Sequence, residues 1–542
     1  MPPTRHENLE IDRHYILVIV QHDNLNLAQQ HYLESVIVVL PADKLAESLD
    51  ALESLQDGGR VAIRTSQISR THRERLLKAG FLREVMRGWY IPSRPDEPTG
   101  ESSAWYASFW HFCADYLTER FGTEWSLSPE QSLNLHIGNW TVPKQLLVRS
   151  PKGGNKPIAL LHGSSIFDVR LELPRLEDTE TKEGLRLIKL PAALIGCAPG
   201  EFAAHPIELR AALAMIPDAS DVLSRLLRGG HSVVAGRLAG AFRNIGKDRI
   251  AEQIVQTMRT AGYTVNESDP FNDEPAVTFG ARETSPYINR LRMMWAAMRE
   301  PVIKNFPAPP GLSKDVASYL KRVDDLYTSD AYHSLSIEGY RVSAELIERV
   351  RSGNWNPDAD KKDRDNRDTL AARGYWQAFQ AVKQSLESVL KRENPGAVAD
   401  RDHAAWYREL FGPSITAGIL QPADLAGYRN GPVFIRRSMH VPPSRDAVRE
   451  LMPSFFELLT NETQPAVRAV LGHFVFVYIH PYMDGNGRMG RFLMNTMMAA
   501  GGYPWTIIPV ERRDNYMAAL EAASVGQDIA PFARFLAGLL RA

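Results

Sequence analysis

The chain has 542 residues, of which 44% are hydrophobic and 23% charged, with a formal net charge of −1. That length exceeds what one hydrophobic core serves and predicts three or four domains, while the balanced charge excludes a global field that would mark a nucleic-acid or membrane partner. The two cysteines, Cys113 and Cys197, exclude a disulfide framework or zinc cluster and suit a reducing cytoplasm.

Residues 1–42 read as a leader of unclear role, whose apolar run YILVIV (15–20) is far short of the about 20 residues a membrane span needs. Residues 43–98 carry a compact helical pattern that ends in the Pro-rich GWYIPSRPDEP. Between Arg60 and Arg94 nine Lys or Arg face two acids, a local excess of +7. TSQISRTHRERLLKAG reads as a helix with Thr65 or Ser66 as N-cap and Gly80 as terminator, and FLREVMRGWYIP as a two-stranded wing turned at Gly88. Helix plus basic wing is how helix-turn-helix modules reach the major groove and its phosphates. Arg64, Arg70, Arg73 and Arg87 are the candidate DNA contacts. The stretch resembles the winged-helix start of AbiEi-type antitoxins.

Residues 99–275 mix aromatic helix patterns with strand-like runs such as KQLLVRS and PIALLH, and LSPEQSLNLHIGNWTVPKQLLVRS resembles the remainder of the same antitoxin family. GAFRNIGKD (240–248) imitates a phosphate-binding loop, but five residues separate its glycines and Asp248 follows Lys247, so it is rejected. NESDPFNDEP (266–275) reads as a turn-rich link. From about 282 onward apolar residues recur at three- and four-residue spacing, which predicts an almost entirely helical region. The expected fold is therefore multidomain α+β: a winged-helix-like domain, a mixed α+β middle domain and an all-α core.

Within that core, HSLSIEGYRVS (333–343) places Ser334 and Glu338 on one helical face, with Gly339 able to end the helix. DADKKDRDNRD (358–368) reads as a solvated charge run. AGYRNGPVFIRRSMHVPP (426–443) predicts a surface β-hairpin carrying Val433, Phe434 and Ile435. LGHFVFVYI predicts a buried helix that delivers His480, and HPYMDGNGRMGR (480–491) follows it. Gly485 and Gly487 permit a tight loop, and a loop feeding a helix N-terminus makes an anion site from backbone donors. Arg488 and Arg491 lie three apart in the first turn, where both are expected to reach an anion. Asp484 beside a phosphate site suits Mg²⁺, and His480 is the nearby group able to take a proton near neutral pH. The mix suggests transfer from a nucleotide to a hydroxyl.

HPYMDGNGRMGR resembles the signature of Fic-domain proteins, HPFx(D/E)GNGRxxR, with Tyr482 where Phe is usual. The resemblance covers roughly 282–540 and places a Fic domain at 282–542. It implies transfer of AMP from ATP to a protein Ser, Thr or Tyr hydroxyl. His480 would be the base and Asp484 the Mg²⁺ ligand, while Gly485, Asn486 and Gly487 would form the anion hole. Arg488 and Arg491 would hold the phosphate tail, and Tyr516 is a candidate for the adenine pocket. Gly487 favours AMP transfer, since the kinase-like relatives carry Lys there. HSLSIEG matches the family's inhibitory-helix pattern [S/T]xxxE[G/N], which makes residues 333–340 an inhibitory helix. Its Glu338 would occupy Arg491, with Ser334 and Gly339 completing the motif. The hairpin resembles the family's flap, on which a target segment docks as an added strand. The alternatives are a DNA-binding regulator whose Fic domain senses nucleotide, and transfer of UMP or another phosphate-bearing group.

Overall fold

The computed structural model describes residues 41–57, 61–95, 102–271, 285–354, 367–420 and 427–541. The leader, the link beyond residue 271 and most of the charge run at 358–368 lie outside these residues.

The first unit is built from α1 (Pro41–Asp57), β1 (Ile63–Arg64), α2 (Arg70–Ala79), β2 (Leu82–Met86) and β3 (Trp89–Pro92). Its antiparallel sheet has the order β1-β3-β2, and Gly88 turns the β2–β3 hairpin at φ 82°. Ser69, rather than Thr65 or Ser66, caps α2 by accepting from the His72 amide. Thr65 is spent on the Gly88 carbonyl, so the helix begins one turn later than the sequence pattern suggests. Gly80 ends it in the left-handed conformation. Leu52, Ile63, Ile68, Leu76, Leu82 and Tyr90 form a small core of their own.

Residues 102–271 hold two cores where the sequence pattern suggested one domain. The first packs α3 (Ser103–Phe121) on a four-stranded sheet built from β4 (Ser126–Leu127), β5 (Gln145–Ser150), β6 (Pro157–Ala159) and β7 (Ser165–Arg170), in the order β4-β5-β7-β6. β5 and β7 run parallel, with Gln145 opposite Ser165. Helix α4 (Pro129–His136) and the hairpin β8 (Thr179–Lys182) to β9 (Leu185–Ile188) complete this layer, which is filled by Trp105, Phe109, Phe112 and Trp125. The second core is helical: α5 (Leu190–Gly196), α6 (Glu201–Ala204), α7 (Pro206–Ala214), α8 (Ser220–Gly229), α9 (Ser232–Asn244) and α10 (Asp248–Thr260). The rejected phosphate loop falls at the end of α9. Lys247 there donates to the carbonyls of Ala214 and Ile216 at 2.7 and 2.6 Å, a structural use.

Ten helices make the described C-terminal half: α11 (Pro286–Asn305), α12 (Val316–Ile337), α13 (Ala344–Arg351), α14 (Arg367–Leu390), α15 (Pro395–Thr416), α16 (Arg445–Asn461), α17 (Pro465–Ile479), α18 (Asn486–Gly501), α19 (Arg513–Gly526) and α20 (Ala530–Leu539). α17 is largely apolar and buried from Ala469 to Ile479, as a helix at the centre of a large bundle must be. The expected hairpin at 426–443 does not form: the described residues 427–443 contain no strand. At the seam between the halves, Arg290 of α11 is 4% exposed. It donates to the Tyr478 hydroxyl and faces Glu208 of α7 at 3.8 Å.

Candidate active site

The site begins where α17 stops. His480 takes the left-handed conformation (φ 53°, ψ 59°), and its amide donates to the Phe476 carbonyl at 3.0 Å. The imidazole Nδ1 lies 3.0 Å from the Val477 carbonyl. A carbonyl only accepts, so Nδ1 carries the proton and Nε2 keeps its lone pair. Burial lowers the His480 pKa to about 4, with Arg429 adding to that effect and Glu338 and Asp484 opposing it. The ring is therefore neutral, as a proton acceptor must be.

The following loop is closed by its own side chains. Asn486 accepts from the Tyr482 amide at 2.9 Å and donates to its carbonyl at 2.8 Å. The Tyr482 ring stacks on Tyr407 with centroids 3.8 Å apart, which anchors the loop in the core. Asp484 accepts from the Gly485 amide at 2.6 Å and from Arg488 at 3.2 Å. Gly485 needs its left-handed φ of 80°, whereas Gly487 needs room, because a Cβ there would overlap the Glu338 carboxylate.

The loop floors a cavity of about 900 Å³, within the range of small-molecule sites. His480, Asp484, Gly485, Asn486, Gly487 and Arg491 line it, together with Glu338, Gly339, Phe434, Ile435 and Tyr516. Arg491 is the centre of its polar network. Its Nη2 donates to Glu338 Oε1 at 2.6 Å and to the Ser334 carbonyl at 3.0 Å, and its Nε to the Ser334 hydroxyl at 2.8 Å. Glu338 caps α12, and Gly339, at φ 87°, turns the chain away after it.

Two expected roles meet a different placement. Arg488 does not line the cavity: its guanidinium lies over the rings of Tyr340 and Phe411, 5.2 and 5.0 Å from their centroids. Asn486 reaches the cavity, but its amide is occupied in closing the loop. Tyr516 lines the cavity as expected, its ring packed against Phe532 and Phe535 and its hydroxyl 2.6 Å from His473 Nε2. In the first unit, Arg64 is paired with Glu119 and lies over Trp89, so it faces α3. Arg70 is exposed beside Glu74, Arg73 lies over Tyr90, and Arg87 is exposed in the wing.

Sequence reasoning passed over Arg429, buried behind His480. Its side chain donates to the carbonyls of His480 (2.8 Å) and Gly431 (3.1 Å) and to that of Pro443, while its amide donates to Pro481 (2.9 Å). No motif names it, although an arginine beside the Gly and Asn of GYRNG was a signal. Asp330 was also missed. It precedes Ser334 and Glu338 at four-residue spacing on α12, and its carboxylate accepts from the Tyr375 hydroxyl at 2.6 Å. Burial raises its pKa to about 6.

The residues fit a nucleotide triphosphate. Arg491 Nη1 is buried without a hydrogen-bond partner, a donor left for an anion. Among the described residues no group of three His, Cys, Asp or Glu could hold a metal. A cation here would share the exposed Asp484 carboxylate with phosphate oxygens, the usual manner for Mg²⁺.

Residues 403–498 match the Fic/DOC family. They form a Fic domain. The chain is 30% identical over 217 residues to the protein adenylyltransferase Fic of Drosophila willistoni and 31% identical over the same length to that of Drosophila virilis. These matches cover 39% of this chain and 40% and 41% of the relatives, so the chain spans less than half the length of the curated relatives it matches. Among solved structures, a fragment of Fic-1 from C. elegans is 20% identical and covers 62% of this chain and 94% of its own, at a TM-score of 0.34. A Fic domain containing signaling protein from Bacteroides thetaiotaomicron is 19% identical and covers 47% and 92%, at 0.31. The Fic-domain match takes in α17, the catalytic loop and most of α18. It leaves residues 333–340 and the N-terminal half outside.

Proposed function

We propose that the chain transfers AMP from ATP to a protein Ser, Thr or Tyr hydroxyl and restrains that reaction with its own Glu338. The reading is carried by Arg491: a buried guanidinium held by Glu338 and Ser334 in the same cavity as a neutral His480 and an exposed Asp484. His480 Nε2 accepts the hydroxyl proton and the oxygen attacks the α-phosphorus. The bond to the β-phosphate breaks, and pyrophosphate leaves with that electron pair. Backbone donors at the N-terminus of α18 and the Arg491 side chain neutralise charge on the phosphates, which is most of what such a transfer asks of a protein. Asp484 would hold Mg²⁺, which would supply further charge neutralisation at the α- and β-phosphates. With Glu338 in place, Arg491 is occupied and a carboxylate lies where the terminal phosphate would sit.

The test incubates wild type, Glu338→Gly and Glu338→Gly/His480→Ala proteins with α-labelled ATP and Mg²⁺. Glu338→Gly is expected to raise label transfer about 100-fold, equivalent to about 3 kcal/mol for a partly buried ion pair. The double variant is expected to lose it. No label from any of the three folded proteins would favour a nucleotide-sensing regulator, and label from UTP alone would change the transferred group.

A second reading is favoured by α2 and the β2–β3 hairpin, which expose Arg70, Lys78 and Arg87 on a helix-and-wing arrangement. We infer that this unit binds DNA, with Arg64 held to Glu119 by a partly exposed ion pair in the free chain. A gel shift on DNA upstream of the gene should weaken steeply as salt rises. No shift at low salt removes the reading.

A further inference from the structure

The segment expected to receive a target strand has no sheet of its own. Among the described residues 285–541 there is no β-strand, so Val433, Phe434 and Ile435 lack ladder partners, and Arg437 turns the chain at φ 59°. A docking surface made of chain without ladder partners must be held from elsewhere.

Arg429 ties the start of the segment to the His480 loop, and two holds reach Met439 near its end. From α19, Glu521 accepts from the Ser438 hydroxyl and, at 2.9 Å, from the Met439 amide. From outside the catalytic half, the Val142 amide donates to the Met439 carbonyl at 3.0 Å. Val142 is fully buried in the aromatic core of α3 and its sheet, and Met439 and Val441 pack on that same core. Behind this contact Trp110 of α3 donates its indole N–H to the Trp140 carbonyl at 2.8 Å. Beside it, His440 stacks on Tyr478, with centroids 4.1 Å apart, and its Nε2 meets the Tyr478 carbonyl at 2.8 Å. The chain of contacts therefore runs from α3 through Val142 and Met439 to the last turn of the helix that carries His480.

We infer that the middle region positions the target-docking segment: the Val142 amide, braced by Trp110 and Trp140, sets where residues 433–438 lie relative to His480. Val142 is thus a positioning residue for the protein substrate, although it lies far outside the Fic domain. The inference rests on the AMP-transfer reading. An added strand is placed by main-chain bonds to the segment it joins, so a shift of that segment moves the attacking hydroxyl, whereas the nucleotide is held by the loop and Arg491.

The test uses the full chain with Glu338→Gly as parent and compares Val142→Pro, which removes the donor, Val142→Ile, which keeps it, and Met439→Ala, which removes packing on the middle core. Three quantities are read: label transferred from α-labelled ATP to the protein itself, affinity for a fluorescent N-methylanthraniloyl ATP, and amide hydrogen exchange in residues 431–441. Val142→Pro is expected to slow transfer about tenfold while nucleotide affinity stays within about twofold, since misplacement of reacting groups by an ångström is costly. Exchange in 431–441 should rise in Val142→Pro and Met439→Ala, and Val142→Ile should match the parent. Unchanged transfer and exchange in folded Val142→Pro overturns the inference. So does nucleotide affinity falling in step with transfer, which marks a merely structural contact. Where Val142→Pro does not fold, Met439→Ala decides by the same readings. A parent that transfers no label defeats the AMP-transfer reading instead, and the exchange measurement still decides whether Val142 holds the segment.

Discussion

The loop at 480–488 and the segment at 427–443 line one cavity, yet they are held in different ways. From His480 to Arg488 the loop closes largely by local bonds, Asn486 on Tyr482, His480 on Val477, and Asp484 on Gly485 and Arg488, with Arg429 of the facing segment bonding the His480 and Pro481 carbonyls. The segment depends on others: Glu521 from α19, Tyr478 from α17 and Val142 from the far half of the chain. Groups that must meet a phosphorus atom within a fraction of an ångström gain from a frame that no distant motion disturbs. A surface that admits a partner gains from attachments that can be adjusted from outside the site.

The largest expected effect strikes the loop. In the Glu338→Gly protein, His480→Ala should reduce label transfer about 1,000-fold, the scale of a lost general base, with exchange in the segment unchanged. A reduction below tenfold would mean the base lies elsewhere. Asn486→Ala removes both bonds that close the loop and should lower stability by about 2 kcal/mol, read as a falling denaturant midpoint together with lost transfer. Ile435→Gly sharpens the contrast from the other side. Stability should change by less than about 0.5 kcal/mol, as at most surface positions, while transfer to protein falls and nucleotide affinity holds.

The smallest effect is a displaced pH limb. With the His480 pKa lowered to about 4, transfer should decline only as pH falls toward 4 and should show no step at 6.5, so a limb centred near 6.5 would place the ring in water. Burial also lowers His440 to about 3 and His473 to about 4. Their folded-state values lie below the unfolded one, so the unfolded chain binds the extra protons. Stability contributed by these neutral histidines is therefore present above about 6.5 and lost as pH falls toward 4, which an acid-unfolding titration will register.

The same contrast explains which parts were legible in the sequence. His480 at the end of an apolar helix, the left-handed glycine at 485 and the Ser334–Glu338 spacing are local facts, and local chemistry predicts them. Arg488 was misplaced because spacing alone leaves open whether a first-turn side chain turns toward the cavity or back onto Tyr340 and Phe411. Asn486 was given to substrate because its partner, the Tyr482 backbone, carries no side-chain signal. Strand propensity in VFI predicted a hairpin, and the rest of the segment paired with α19, α17 and residue 142 instead. Arg429 and Asp330 went unseen because each acts on backbone or hydroxyl groups brought near only by folding. The β2–β3 hairpin was legible through Gly88, whereas the pairing of Arg64 with Glu119 belongs to the packing of two units.

Arg290 couples the two halves energetically. Its charge is tolerable inside the protein because Glu208, from the other half, stands across the seam, and an orphaned buried charge costs about 3–5 kcal/mol. Its neighbour Tyr478 lies two residues before His480. A gene rearrangement that gave this Fic domain a new N-terminal companion would inherit a cation with no counterpart next to the catalytic helix. Lineages carrying the exchange would need a compensating change at 290 in the same step or soon after it. A swapped N-terminal half is therefore expected to cost stability unless position 290 is neutralised with it.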